Sequence, residues 1–68
     1  MNLNLLNQVI RDSGIKKQVL AKKIGISANT LRAKTQDDGI GFWCREAKAI
    51  AEALHLDRDT RDKIFFDD

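Results

Sequence analysis

The feature that most limits the fold of this chain is a three-residue break, Gly25-Ile26-Ser27, between two segments with helical periodicity. Glycine readily adopts a positive φ and serine is a preferred N-cap, so one helix ends at the break and another begins directly after it. Ile26 is expected to pack beneath this turn, and the small Ala21 to let the two helix axes approach closely. The centre of the chain is therefore predicted to be two short helices joined at an angle.

The rest of the pattern predicts an all-α fold with five short helices in one domain, residues 1–68. The chain has 68 residues, 43% of them apolar and none of them proline, which suits a small helical core. Apolar spacing and caps place the helices at about 4–12, with Asn2 or Asn4 as the cap, then 17–24, 28–36 and 43–55, with a loop at 37–41. A last helix, capped by Asp57, carries Ile64, Phe65 and Phe66.

Charge is distributed unevenly along the chain. Residues 11–34 hold seven basic residues and one acid, a net charge of +6, whereas residues 35–68 hold five basic residues and nine acids, a net charge of −4. Such asymmetry favours a protein with one face turned toward a polyanion. The acidic pairs at 37–38 and 67–68 are expected to be solvated.

Several function classes are disfavoured by what the chain lacks. One cysteine, Cys44, cannot form an internal disulfide, which fits a reducing cytosol, and it is expected to be a buried packing residue. With His55 as the single histidine, neither a zinc site nor a catalytic triad is expected. Without a glycine-rich phosphate loop, a signal peptide or an apolar run long enough to span a membrane, we expect no enzyme, no metal and no cofactor.

The predicted helix 28–36 carries one large apolar residue, Leu31. Its other positions are small or able to contact bases: an asparagine such as Asn29 can pair with adenine and an arginine such as Arg32 with guanine. Lys34 and Thr35 are expected at phosphates or in solvent.

The start of helix 17–24 opposes the helix dipole, because Lys16 and Lys17 lie where acidic residues are preferred. A phosphate bound at this N-terminus would make both lysines favourable, and Gln18 could add a contact. The alternative is that these lysines are simply solvated.

Together, "QVLAKKIGIS", "NTL" and the tail "AKAIAEALHLDRDTRDKIFF" resemble the Cro/C1-type (XRE-like) helix-turn-helix regulators over about residues 3–66. The resemblance implies a compact five-helix lambda-repressor-like domain, with a helix-turn-helix formed by helices two and three. It also implies binding of double-stranded operator DNA, usually as two copies on a near-palindromic site. The candidate DNA-binding residues are Lys16, Lys17, Gln18, Ser27, Ala28, Asn29, Arg32, Ala33 and Lys34. Many members of the family carry an aliphatic core residue where this chain has Lys34.

Two hypotheses follow. The first is a phage or prophage Cro-like repressor in the cytoplasm of a bacterial host, forming a weak homodimer or a dimer on DNA. The second is a protein-interaction module, an antitoxin or adaptor, that uses its acidic C-terminal half or Phe65 and Phe66. Trp43 is expected to pack against the core, with base stacking as the alternative. Of the two phenylalanines, one is expected to close the core and the other to remain for a dimer contact.

Overall fold

The computed structural model describes residues 1–37 and 39–66 and contains, in that part of the chain, five α-helices and no strand. The helices are α1 (Leu3–Ser13), α2 (Lys17–Ile24), α3 (Ala28–Gln36), α4 (Cys44–Ala53) and α5 (Arg58–Phe65). The predicted all-α class and the number of helices are therefore confirmed. The expectation that the acidic pairs are solvated holds for Asp37, which is exposed, while residues 38, 67 and 68 lie outside the described residues.

The helix boundaries follow local capping. The bounds of α2 and α3 agree with the prediction, whereas α1 is one residue longer at each end, because the Asn2 side chain accepts the Leu5 N–H and Gly14 ends the helix in the left-handed conformation. The prediction for α4 was too long at both ends. Trp43 is its N-cap, and His55 takes a positive φ of 54° just past its end, which a helix cannot continue through.

All five helices contribute to one buried core. Helix α2 packs against α3 and α4, and α1 packs against α3 and α5. The largest side chains of this core are fully shielded from solvent, so each helix is held by at least one apolar residue. The core comprises Leu6, Ile10, Leu20, Ala21, Leu31, Ile50, Leu54 and Ile64.

The turn between α2 and α3 has the conformation that its sequence predicts. Gly25 has φ 82°, its N–H bonds the Lys22 carbonyl, and the Ile26 N–H bonds the Ala21 carbonyl at 3.0 Å. These two bonds make a Schellman cap. Ser27 then caps α3, its Oγ accepting the Thr30 N–H at 3.0 Å. Ile26 is half-buried and packs against the core, as expected.

A buried ion pair links α3 to the start of α4. Lys34 Nζ donates to Glu46 Oε1 at 2.6 Å, and the same oxygen accepts the Trp43 N–H at 2.9 Å. Lys34 is 8% exposed and Glu46 7%. The Lys34 ammonium also lies 5.4 Å from the centre of the Phe42 ring. The expectation that Lys34 reaches phosphate or solvent is therefore wrong: its stem fills a core position and its charge is neutralised inside.

Burial raises the pKa of the Glu46 carboxyl, but the hydrogen bonds from Lys34 and Trp43 and the charges of Lys34 and Arg45 outweigh it. The net effect is a pKa below the ordinary value of 4.5. The ionised carboxylate is therefore the form that the fold stabilises.

Three further expectations about side chains were wrong. Thr35, expected at phosphate or in solvent, is 2% exposed. Trp43, expected in the core, is 65% exposed, and the Arg45 guanidinium lies 5.1 Å from its ring centre. The cause is the extended backbone at this N-cap, where neighbouring side chains point to opposite sides, so that Phe42 faces inward and Trp43 outward. Cys44 is exposed at the first position of α4 rather than buried.

We predict that Gly25→Ala lowers the free energy of unfolding by about 1–2 kcal/mol, because an alanine is strained at this positive φ. A Cβ at Gly25 would meet no atom within 4 Å, so the loss comes from the backbone alone. Urea unfolding monitored by circular dichroism measures it. Gly14→Ala, at φ 75° and also with no atom within 4 Å of the added Cβ, should show a similar loss, and unchanged stability in both variants would contradict the explanation.

We predict that Glu46→Gln destabilises the protein by about 3–5 kcal/mol at pH 7, because it leaves the Lys34 charge buried without its partner. Because folding lowers the Glu46 pKa, the carboxylate's contribution is complete well above pH 4.5 and disappears as the pH falls through the lower folded-state value. The difference in the free energy of unfolding between the unmodified protein and Glu46→Gln should therefore decrease as the pH is lowered. Urea unfolding at several pH values measures it.

The double variant Lys34→Met/Glu46→Gln removes both charges and keeps the Trp43 hydrogen-bond acceptor. It should recover most of the lost stability, since a buried pair replaced as a unit is often neutral. The single variants Glu46→Gln and Lys34→Met complete the comparison. If the stability lost in the double variant equalled the sum of their two losses, the pair would not be coupled.

Candidate nucleic-acid interface

Helix α3 has two different faces. Leu31, Lys34 and Thr35 lie at positions i, i+3 and i+4 on its buried side. The opposite side is exposed and small or polar, with no large apolar residue. It comprises Asn29, Thr30, Arg32, Ala33 and Gln36. Anchoring one face thus leaves the other free for a ligand.

Asn29 and Arg32, the two predicted base-contacting residues, lie next to each other on this exposed face. Arg32 Nη1 donates to Asn29 Oδ1 at 3.4 Å, a long hydrogen bond that keeps both side chains in one patch. Ala33 is exposed beside them, while Ala28 at the first position of α3 is half-buried. The structure therefore brings together Asn29, Arg32 and Ala33 of the predicted set.

Ser27 is committed mainly to the helix cap. Its Oγ accepts the Thr30 N–H and donates to Thr30 Oγ1 at 2.8 Å. The side chain is exposed, but its proton already has an acceptor. Ser27 thus orients the first turn of α3 before it can contact any ligand.

The start of α2 is open to an anion. Lys16 is its N-cap, with extended backbone and no side-chain hydrogen bond to the helix amides. Lys16 and Gln18 are exposed. The first-turn amides of α2 therefore lack a side-chain cap and lie next to an exposed lysine, and helix N-termini of this kind can bind phosphate.

Lys17 differs from its neighbours because its ammonium is hydrogen-bonded to a side chain of another helix. It is half-buried, and its Nζ donates to Thr35 Oγ1 at 3.0 Å. Thr35 Oγ1 in turn donates to the Arg32 carbonyl, and the Thr35 carbonyl accepts from Asn7 Nδ2 at 3.0 Å. Thr35 therefore joins the end of α3 to the start of α2 and to α1.

The role of Thr35 was missed from the sequence, although its spacing carried a signal. Thr35 follows Leu31 by four residues, so it lies on the buried side of any helix that buries Leu31. A polar residue at such a position requires hydrogen-bond partners. The Thr35 hydroxyl finds its acceptor locally, at the Arg32 carbonyl, whereas its donor Lys17 comes from another helix and could not be identified from local pattern.

The basic residues of the first half are not neutralised locally. Six of them have no carboxylate within salt-bridge distance among residues 1–37 and 39–66, and the exception in this region is Lys34. The six are Arg11, Lys16, Lys17, Lys22, Lys23 and Arg32. A surface with such unpaired cations attracts polyanions at long range.

Comparison of the chain with protein-family models, curated proteins and solved structures finds no match. None of the helices in the described part of the chain is long and apolar enough to cross a membrane. No group of three or more potential metal ligands occurs among those same residues.

Proposed function

We propose that the protein is a sequence-specific double-stranded DNA-binding transcriptional regulator, a Cro-like repressor of a phage or prophage. Helix α3, residues 28–36, would insert into the major groove of an operator as the second helix of a helix-turn-helix. The observation that carries the proposal is the exposed face of α3, where Asn29 and Arg32 adjoin and neither meets a carboxylate of residues 1–37 and 39–66.

The size of the protein supports this mode of binding. The molecule measures 26 × 25 × 20 Å, less than the roughly 34 Å of one turn of B-DNA. One copy therefore covers about one half-site. Two half-sites a helical turn apart require two copies, and we propose weak self-association in solution or dimer formation on the DNA.

The chemistry of the exposed groups indicates which of them would contact bases and which would contact phosphates. Arg32 would donate to guanine O6 and N7, and Asn29 would pair with adenine, while the small Ala33 allows close approach to the bases. Lys16, Gln18 and the first-turn amides of α2 would bind phosphate, which fixes the register without adding sequence information. Lys17 would contribute charge from a fixed position, because Thr35 holds its ammonium.

A second candidate, a protein-interaction module, is favoured by two exposed aromatic residues, Trp43 and Phe66, each 65% exposed. Large exposed apolar groups often mark protein contacts. Binding to a protein partner, insensitive to salt and without DNA retention at low salt, would replace the first proposal with this one.

We predict that Arg32→Ala or Asn29→Ala weakens binding to the selected operator by about 1–3 kcal/mol and relaxes the base preference at one position. Selection from random duplex DNA, followed by footprinting, identifies the site and the half-site spacing. Arg58→Ala, which removes an exposed arginine from α5, is the charge-matched control. Loss of affinity without a change in base preference would contradict a base-contacting role.

We predict that Lys16→Gln weakens all DNA sequences alike and reduces the slope of log affinity against log salt by about 0.9, the value of one phosphate contact. Lys63→Gln removes an exposed lysine from α5 and should leave the slope unchanged. Titrations at several salt concentrations measure both slopes. An unchanged slope for Lys16→Gln would remove the start of α2 from the interface.

A further inference from the structure

A groove with a volume of about 310 Å³ is lined by residues outside the proposed DNA interface. Its lining is mainly apolar and comes from α4, α5 and the residues next to them. It includes Phe42, Ala47, Phe65 and Phe66, together with the cationic Lys48 and Arg61. We refer to it as the α4–α5 groove.

Two phenylalanines in the lining of the α4–α5 groove contact each other. The rings of Phe42 and Phe65 meet edge to face, with centroids 6.0 Å apart, and both pack against the core. Phe66, by contrast, is 65% exposed beside them. An apolar ligand body would extend this aromatic contact and cover surface that is now in water.

Arg61 supplies an unmet hydrogen-bond donor at this groove. Its Nε is shielded from solvent and has no hydrogen-bond partner among the described residues. The Asp62 carboxylate lies 3.6 Å from it, too far for a hydrogen bond. The Arg61 side chain as a whole is 41% exposed, so its terminal guanidinium nitrogens are the donors that a ligand in the groove can meet.

Lys48 adds a second positive charge on the same lining. It is exposed, and no carboxylate of the described residues lies within salt-bridge distance of it. Arg61 and Lys48 therefore present two cations beside an apolar surface. This combination complements a ligand with an apolar body and an anionic head.

We propose that the α4–α5 groove binds a small amphipathic carboxylate. Its carboxylate accepts from the two terminal Nη groups of the Arg61 guanidinium, with Lys48 beside it. Its apolar body lies against Phe42 and Phe65. The volume of 310 Å³ is at the lower end of small-molecule pockets, whereas a protein partner requires a contact of about 1,000 Å².

Three probes with one common body test the proposal: 4-phenylbutyrate, 4-phenylbutan-1-ol and 4-phenylbutylamine. Each is titrated into the ¹⁵N-labelled full chain and monitored by amide chemical shifts. We expect saturable 1:1 binding of the carboxylate with shifts at Phe42, Ala47 and Phe65. The alcohol should bind about tenfold more weakly, because charge-assisted hydrogen bonds are roughly twice as strong as neutral ones. The amine should bind more weakly still.

The variant Lys48→Gln/Arg61→Gln should remove the preference for the carboxylate. Arg58→Gln/Lys63→Gln removes the same charge from exposed positions of α5 outside the groove and should retain the preference. An equal loss in both variants would show that only bulk charge matters and would overturn the proposal. The comparison of probes on the unmodified protein decides the question even where a variant unfolds.

Other outcomes contradict the proposal directly. They are no saturable shift with phenylbutyrate, equal affinity for the alcohol, and shifts centred on α2 and α3. Amide shifts at the groove that depend on protein concentration without any probe would mean that a second copy covers it, which also overturns the proposal. DNA binding is measured independently, so neither proposal stands or falls with the other.

Discussion

The hydrogen-bonded ion pair between Lys34 and Glu46 fixes the orientation of α3, on which the exposed surface depends. One carboxylate oxygen accepts both from Lys34 on α3 and from the Trp43 N–H at the start of α4. Separating the pair would leave a charge in the core, which is far more costly than breaking a surface contact. Because α3 is held with Lys34 inside, Asn29 and Arg32 remain outside.

Thr35 performs a similar task with hydrogen bonds and without an ion pair. It links the end of α3 to Lys17 on α2 and to Asn7 on α1. A chain of 68 residues buries few large apolar groups, so packing alone gives limited control over helix orientation. Directional bonds at Lys34 and Thr35 add that control. The price is that both polar side chains must keep their partners.

The molecule therefore combines two surfaces of different character. The α2–α3 region has cations without a carboxylate partner among the described residues and a small, polar helix face, the features on which the proposed DNA binding depends. The α4–α5 groove is mainly apolar, with the cationic Lys48 and Arg61 in its lining. Phe42 connects the two regions physically, since the Lys34 ammonium lies 5.4 Å from its ring and Phe65 packs against it.

The sequence alone determined the five helices, the α2–α3 turn and the outward position of Asn29 and Arg32. These depend on caps, glycine conformation and apolar spacing, all within a few residues of one another. Only the tertiary structure decided that Lys34 and Thr35 are buried while Trp43 and Cys44 are exposed. A lysine becomes a core residue only when a carboxylate meets it, and Glu46 lies twelve residues away on another helix. The spacing of residues within one helix cannot predict a contact between two helices, so the burial of Lys34 could not be predicted from the sequence.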